Sequence, residues 1–196
     1  MITMPMQKRE IIRKAAGDCR DLHAFLDLPE TAEIITACAD LLAETVNNGR
    51  PVLLCGNGGS AADCQHWAGE MIGRFKKERR AAPFIALTTD TSIMTSIAND
   101  YDFDRVFSRQ VEGLGVSGGV LVCISTSGKS PGILAAAATA RARGMKVIGL
   151  SGATPNPLAA HADLLFAVPS GDTPRIQECH IFFIHTVCEL VETTLS

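Results

Sequence analysis

Residues 51–60 read Pro-Val-Leu-Leu-Cys-Gly-Asn-Gly-Gly-Ser. A short apolar run meets three glycines set around an asparagine, and a helical pattern begins at about Ala61. The run does not alternate with polar residues, which is the mark of a strand covered on both faces. Four more runs of the same kind follow at Phe84–Leu87, Val120–Ile124, Lys146–Leu150 and Leu164–Val168. Helical patterns lie between them, so the expected fold is α/β: a three-layer α/β/α sandwich on a five-stranded parallel sheet, flavodoxin-like. A long closing helix is expected from about Arg175 to Leu195. In such sheets ligands bind outside the carboxyl ends of the strands.

Upstream of residue 50 the pattern is helical. Ile11, Ile12, Ala15, Cys19, Leu22, Phe25 and Leu26 recur at three-to-four spacing until Pro29. A second helix is expected from about Glu30 to Asn48, with Gly49 as its left-handed cap. The chain therefore reads as one domain over residues 1–196, a helical segment (1–50) followed by an α/β core (51–196). Its 196 residues suit one domain, and 46% apolar with 20% charged residues suits a globule with a substantial core. A net charge of −3 with one Trp and one Tyr argues against a nucleic-acid partner. No apolar run approaches the roughly 20 residues that cross a bilayer, and Met1–Glu10 turns charged before a secretory core forms. The expected location is the cytoplasm, away from membranes. The seven cysteines form no CxxC pair and are expected as buried, unpaired thiols.

Two loops point to phosphate. Gly56-Asn-Gly-Gly-Ser60 lets the backbone approach an anion, and the helix after it offers free N–H groups and a positive dipole end. It has neither the Walker nor the dinucleotide spacing. The strand at Val120–Ile124 leads into Ser125-Thr-Ser-Gly-Lys-Ser-Pro131, with four hydroxyls in six residues and a proline at the first helical position. One hydroxyl caps a helix; four exceed that need. Further along, His66 and Glu70 stand one helical turn apart on one face, a plausible half of a zinc site.

The pattern Gly56-Asn-Gly-Gly-Ser-Ala-Ala-Asp63, followed by strand, Ser125-Thr-Ser-Gly-x-Ser130 and helix, resembles the SIS (sugar isomerase) domain. Gln65–Glu70, Ala98–Tyr101, Phe107–Gln110 and Asp172–Glu178 extend the resemblance to the phosphoheptose isomerase family over almost the whole chain. The resemblance implies conversion of sedoheptulose 7-phosphate to D-glycero-D-manno-heptose 7-phosphate through an enediolate. The product would serve bacterial lipopolysaccharide or another surface glycan.

It assigns Asn57, Gly58, Gly59, Ser60, Ser125, Thr126, Ser127 and Ser130 to the substrate, with Asn99, Asp100, Glu70 and Gln177. It makes Glu70 the base and His185 the acid, and gives each subunit one zinc ion on His66, Glu70, Gln177 and His185. It also implies a homotetramer with sites at subunit interfaces. Gln177 and His185 lie about 12 Å apart along a helix and about 80° around it. Either one ion sits between them at the limit of reach, or the ligands come from more than one subunit. His180 is read as a hydrogen-bonded core residue, and the cluster Arg74–Arg80 as a solvated loop. The alternative reading is a non-catalytic SIS protein that binds a sugar phosphate or a replication-initiation partner. Members of that kind generally lack the glutamate that stands here at position 70.

Overall fold

The apolar runs pair side by side in one five-stranded sheet. The computed structural model describes residues 6–195. The reading of Met1–Glu10 as lacking a secretory core therefore falls, for residues 1–5, outside the described residues. The strands are β1 (Val52–Gly56), β2 (Phe84–Ala86), β3 (Val120–Ser125), β4 (Lys146–Ser151) and β5 (Leu164–Ala167). They lie in the order β2-β1-β3-β4-β5 and every pairing is parallel. Val52 sits opposite Val120 and Cys55 opposite Cys123, so β1 and β3 end level at Gly56 and Ile124.

Alternate residues on these strands feed two cores. Val52, Leu54, Val120, Val122 and Ile124 face a layer made by α2 (Pro29–Asn47), α3 (Gly59–Ile72) and α7 (Thr173–Glu192). Leu53, Cys55, Leu121 and Cys123 face α4 (Thr91–Asp100), α5 (Val106–Leu114) and α6 (Pro131–Ala142). Both faces are covered, which is why the runs are apolar throughout. Alanines 136, 137 and 140 make the buried stripe of α6, and their small side chains let it lie close to the sheet. Gly49 closes α2 at φ +70°, as its cap position requires. Pro29 opens α2 at its first turn, and a 3₁₀ turn at Ala24–Asp27 separates it from the helix before.

The first helix, α1 (Met6–His23), forms as its spacing predicts. Its periodicity is helical, but none of its residues is buried; Ile11 and Ile12 are 63% and 55% exposed. Only Leu22, with Phe25 and Leu26 just beyond, reaches the core. Among the described residues no cysteine is bridged, six of the seven are buried, and Cys19 is half-buried. No helix among them is long and apolar enough to cross a membrane.

Leu54 is fully buried in β1, at the centre of the core that holds α3 and α7 against the sheet. Leu54→Ala is expected to cost about 3 kcal/mol, as truncations leaving a cavity at such sites do. Urea denaturation measures it, as a lower midpoint at an unchanged slope.

Candidate active site

The chain leaves β1 and β3 toward opposite faces, into α3 and α6. The crevice between the two departing loops is the switch point at which parallel sheets of this order take ligands. It holds a cavity of about 270 Å³, lined by Asn57, Gly59, Ser60, Ser125, Thr126, Ser127, Ser130, Thr173 and Gln177, with Ile124 at its base. Both expected loops meet there, and the Asn57 amide donates to Ser130 Oγ at 3.1 Å to tie them together. Three helix starts border this cavity: Gly59 and Ser60 of α3, Ser130 at the cap of α6, and Thr173 of α7. Their first N–H groups lack intrahelical partners and their dipoles add, so the cavity suits an anion. The third start, Thr173, carries no local signal stronger than the Thr-Pro that opens a helix. A larger hollow of about 510 Å³, between α1 and the start of α7, contains none of these loop residues.

Gly58 needs its glycine, because it holds φ +56° and ψ −122°. At Gly59 a Cβ would meet the Gln177 amide and displace it. Gln177 thus packs directly on the start of α3. Further along the same two helices, His66 Nε2 lies 2.9 Å from His185 Nε2. Glu70 Oε1 stands 3.7 Å from the same His66 nitrogen. Trp67 and Phe183 meet edge to face between the levels, ring centroids 5.9 Å apart. The helices therefore run parallel, with 59 against 177 at one level and 66 against 185 at the next. Seven or eight residues separate the levels, about 10–12 Å along the axes. Glu70 and His185 thus share one neighbour within a single copy.

The SIS domain family profile matches residues 22–152. The phosphoheptose isomerase of Geobacter sulfurreducens is 55% identical over 166 residues, 85% of this chain and 88% of that protein. That of Aliarcobacter butzleri is 52% identical over 164 residues, 84% and 87% respectively. The solved phosphoheptose isomerase of Neisseria gonorrhoeae superposes with a TM-score of 0.83 at 42% identity, covering 96% of this chain and all of that one. The chain belongs to the phosphoheptose isomerase family of SIS domains. A second solved family member, from Francisella tularensis, superposes with a TM-score of 0.87 at 32% identity, over 97% of this chain and 100% of that one.

Within the family frame, the expected metal ligands fall into two groups. Imidazole nitrogens and a carboxylate oxygen are donors that zinc accepts, and His66, Glu70 and His185 gather at one level. They are incomplete within one copy: among the described residues no three His, Cys, Asp or Glu groups close around one point. Gln177 lies at the other level, on the hydroxyl-lined cavity. Asn99 and Asp100 fall elsewhere too. They form the exposed last turn of α4, where Asn99 Nδ2 donates to Asp100 Oδ1 at 2.8 Å, and do not line the cavity.

Two buried groups carry perturbed proton affinities. His180 is fully buried with Nε2 3.3 Å from the Ser151 carbonyl, so Nε2 carries the proton and Nδ1 is bare. Burial lowers its pKa to about 4 and keeps it neutral, the core role expected of it. Asp63 was not singled out by its sequence context beyond membership of the glycine motif. It is 8% exposed, its Oδ2 has no hydrogen-bond partner, and burial raises its pKa to about 6 against a lesser opposing pull from His66.

These two groups act on stability in opposite senses. His180 contributes stability that is full above pH 6.5 and is lost as pH falls through about 4. Asp63 contributes stability that is full below pH 3.8 and is lost as pH rises through about 6. Asp63→Asn is therefore expected to raise the urea midpoint at pH 8 and to steepen the fall in stability between pH 6.5 and 4. Midpoints measured across that range check both outcomes.

Proposed function

We propose that the chain interconverts sedoheptulose 7-phosphate and D-glycero-D-manno-heptose 7-phosphate, an aldose–ketose isomerisation of bacterial heptose biosynthesis. The observation that carries this reading is the two-level arrangement on α3 and α7. An anion cavity lies at one level, and an acid–base pair at the next, about 10–12 Å away. A seven-carbon chain with a terminal phosphate spans a distance of that order, and a triose phosphate does not.

The residues divide the work accordingly. Ser60, Ser125, Thr126, Ser127 and Ser130, with the first N–H groups of α3 and α7, bind the phosphate. Asn57 and Gln177 orient the carbons beside it. Glu70 removes the proton from the carbon next to the carbonyl and returns it to the neighbouring carbon. His185 gives a proton to the carbonyl oxygen as the enediolate forms, and takes one from the adjacent hydroxyl as it collapses. Glu70 Oε1 lies 3.7 Å and His185 Nε2 2.9 Å from His66 Nε2, a proximity that supports roles at neighbouring carbons. His66, Glu70 and His185 would hold a zinc ion, with Gln177 of the same or another copy as fourth donor. A bound zinc would supply Lewis-acid stabilisation of the enediolate charge.

A homotetramer accounts for what one copy leaves unused. The bare apolar face of α1 and the exposed Asn99–Asp100 turn are where a neighbouring copy would pack and complete the site. We place the enzyme in the cytoplasm, with its sugar-phosphate substrate, as one SIS domain.

Incubation of the pure protein with sedoheptulose 7-phosphate is expected to yield aldoheptose 7-phosphate; no turnover with or without added zinc would reject the reading. Glu70→Gln is expected to lower kcat by at least about a hundredfold at unchanged stability. Ser127→Ala is expected to raise KM several-fold with little change in kcat, because the phosphate is held alike in ground and transition states.

A further inference from the structure

Glu70 and His185 need fixed orientations, and the 73–80 connection between α3 and β2 is what lies against them. It reads as a solvated run of charge, yet one of its members is buried. The Arg79 side chain is 1% exposed, and so is that of Glu192 at the end of α7. Arg79 Nε stands 3.4 Å from Glu192 Oε1. Its Nη1 donates to the Met71 and Gly73 carbonyls and its Nη2 to the Glu70 carbonyl, each at 2.8 Å. These are the last carbonyls of α3, so the guanidinium caps the turn that carries Glu70.

Glu192 holds the loop itself. Its Oε1 accepts the Phe75 N–H at 2.8 Å, and its Oε2 accepts those of Lys76 and Lys77 at 2.9 and 3.1 Å. One buried carboxylate thus fixes three successive amides. The first belongs to Phe75, whose ring stacks on His185 with centroids 5.5 Å apart and planes 22° apart. A buried ion pair is a poor device for stability alone, since an apolar pair of similar volume commonly does as well. Fixing a geometry is a task the apolar pair does not perform, because it satisfies none of the amides or carbonyls.

We infer that Glu192 and Arg79 are positioning residues of the isomerase site: through Phe75 they set the plane of the His185 ring, and through the end of α3 the departure of Glu70. The inference rests on the function proposed above for its catalytic consequence, and on geometry alone for the ring. Glu192→Gln keeps the size but leaves an NH₂ facing N–H groups. Phe75→Leu keeps apolar volume but removes the flat face, and Phe75→Tyr restores it.

The test follows the ring C–H resonances of His185 in protein labelled with ¹³C-histidine, alongside steady-state kinetics. Phe75 shields His185, so its resonances are expected to move downfield in both Phe75→Leu and Glu192→Gln and to stay in place in Phe75→Tyr. kcat is expected to fall about tenfold in the first two at a KM within about twofold, the signature of misplaced reacting groups, and to return in Phe75→Tyr. Unmoved His185 resonances in a folded Glu192→Gln protein would overturn the inference. So would kcat and KM changing together in step with lost stability. Should Glu192→Gln not fold, Glu192→Asp, which withdraws the carboxylate but keeps its charge, is read by the same two measurements. An unaltered protein without isomerase activity would reject the proposed function, while the resonances would still decide the positioning.

Discussion

The site depends on the close parallel approach of α3 and α7, which brings the Gln177 amide onto the start of α3 at Gly59. With Gly59 under the Gln177 amide, the start of α3 lies level with the second turn of α7. Trp67 against Phe183 then keeps them in step. His66 and His185 meet one level further on because α-helices rise by the same amount per residue. A register slip of one residue on either helix would turn a histidine about 100° away from its partner.

The two levels also separate two energetic tasks. Phosphate held by amides, hydroxyls and helix dipoles is held equally before and during reaction, so its binding energy brings the substrate in without lowering the chemical barrier by itself. In the proposed reaction it contributes to rate by placing the far end of the sugar between a carboxylate and an imidazole. In that proposal the groups at the second level meet charge only as it develops, which is where stabilisation lowers the barrier. The 2.9 Å contact between His66 Nε2 and His185 Nε2 brings two imidazole nitrogens to one point of the second level. A flat ring at Phe75 on the other side of His185 limits how that imidazole can turn.

Much of this was legible in the chain, and the exceptions share a cause. The strands announced themselves because burial on both faces leaves no polar position in β1 or in β3 before Ser125. The loops at residues 56–60 and 125–131 stood out because an anion site needs glycines and hydroxyls just after a strand. Arg79 was misread as solvated because its partner, Glu192, lies 113 residues away and at the far end of another helix. In sequence it is one charge among six, and only the tertiary fold shows which one turns inward. The half-buried Phe75 was passed over for the same reason. For α1 the helix is legible in the apolar spacing, but spacing does not say which copy covers the face; within one copy Ala15, Cys19 and Leu22 are half-buried and Ile11 and Ile12 are exposed.

Helix α7 also shows why two histidines in one apolar run take unlike roles. Five residues at 100° each turn His185 about 140° away from His180, so the two leave opposite sides of the helix. His180 faces the sheet, where its Nε2–H meets the Ser151 carbonyl at the end of β4 and burial keeps it neutral. His185 faces α3 at the edge of the core, half-buried. The inward bond anchors α7 to a strand end, and the helix backbone transmits that position to the outward ring. At its far end Glu192 grips the loop that carries Phe75, so His185 is held from the sheet side through the helix and from the loop side through the stacked ring. Orientation of the proposed acid therefore comes from buried groups that never meet the substrate.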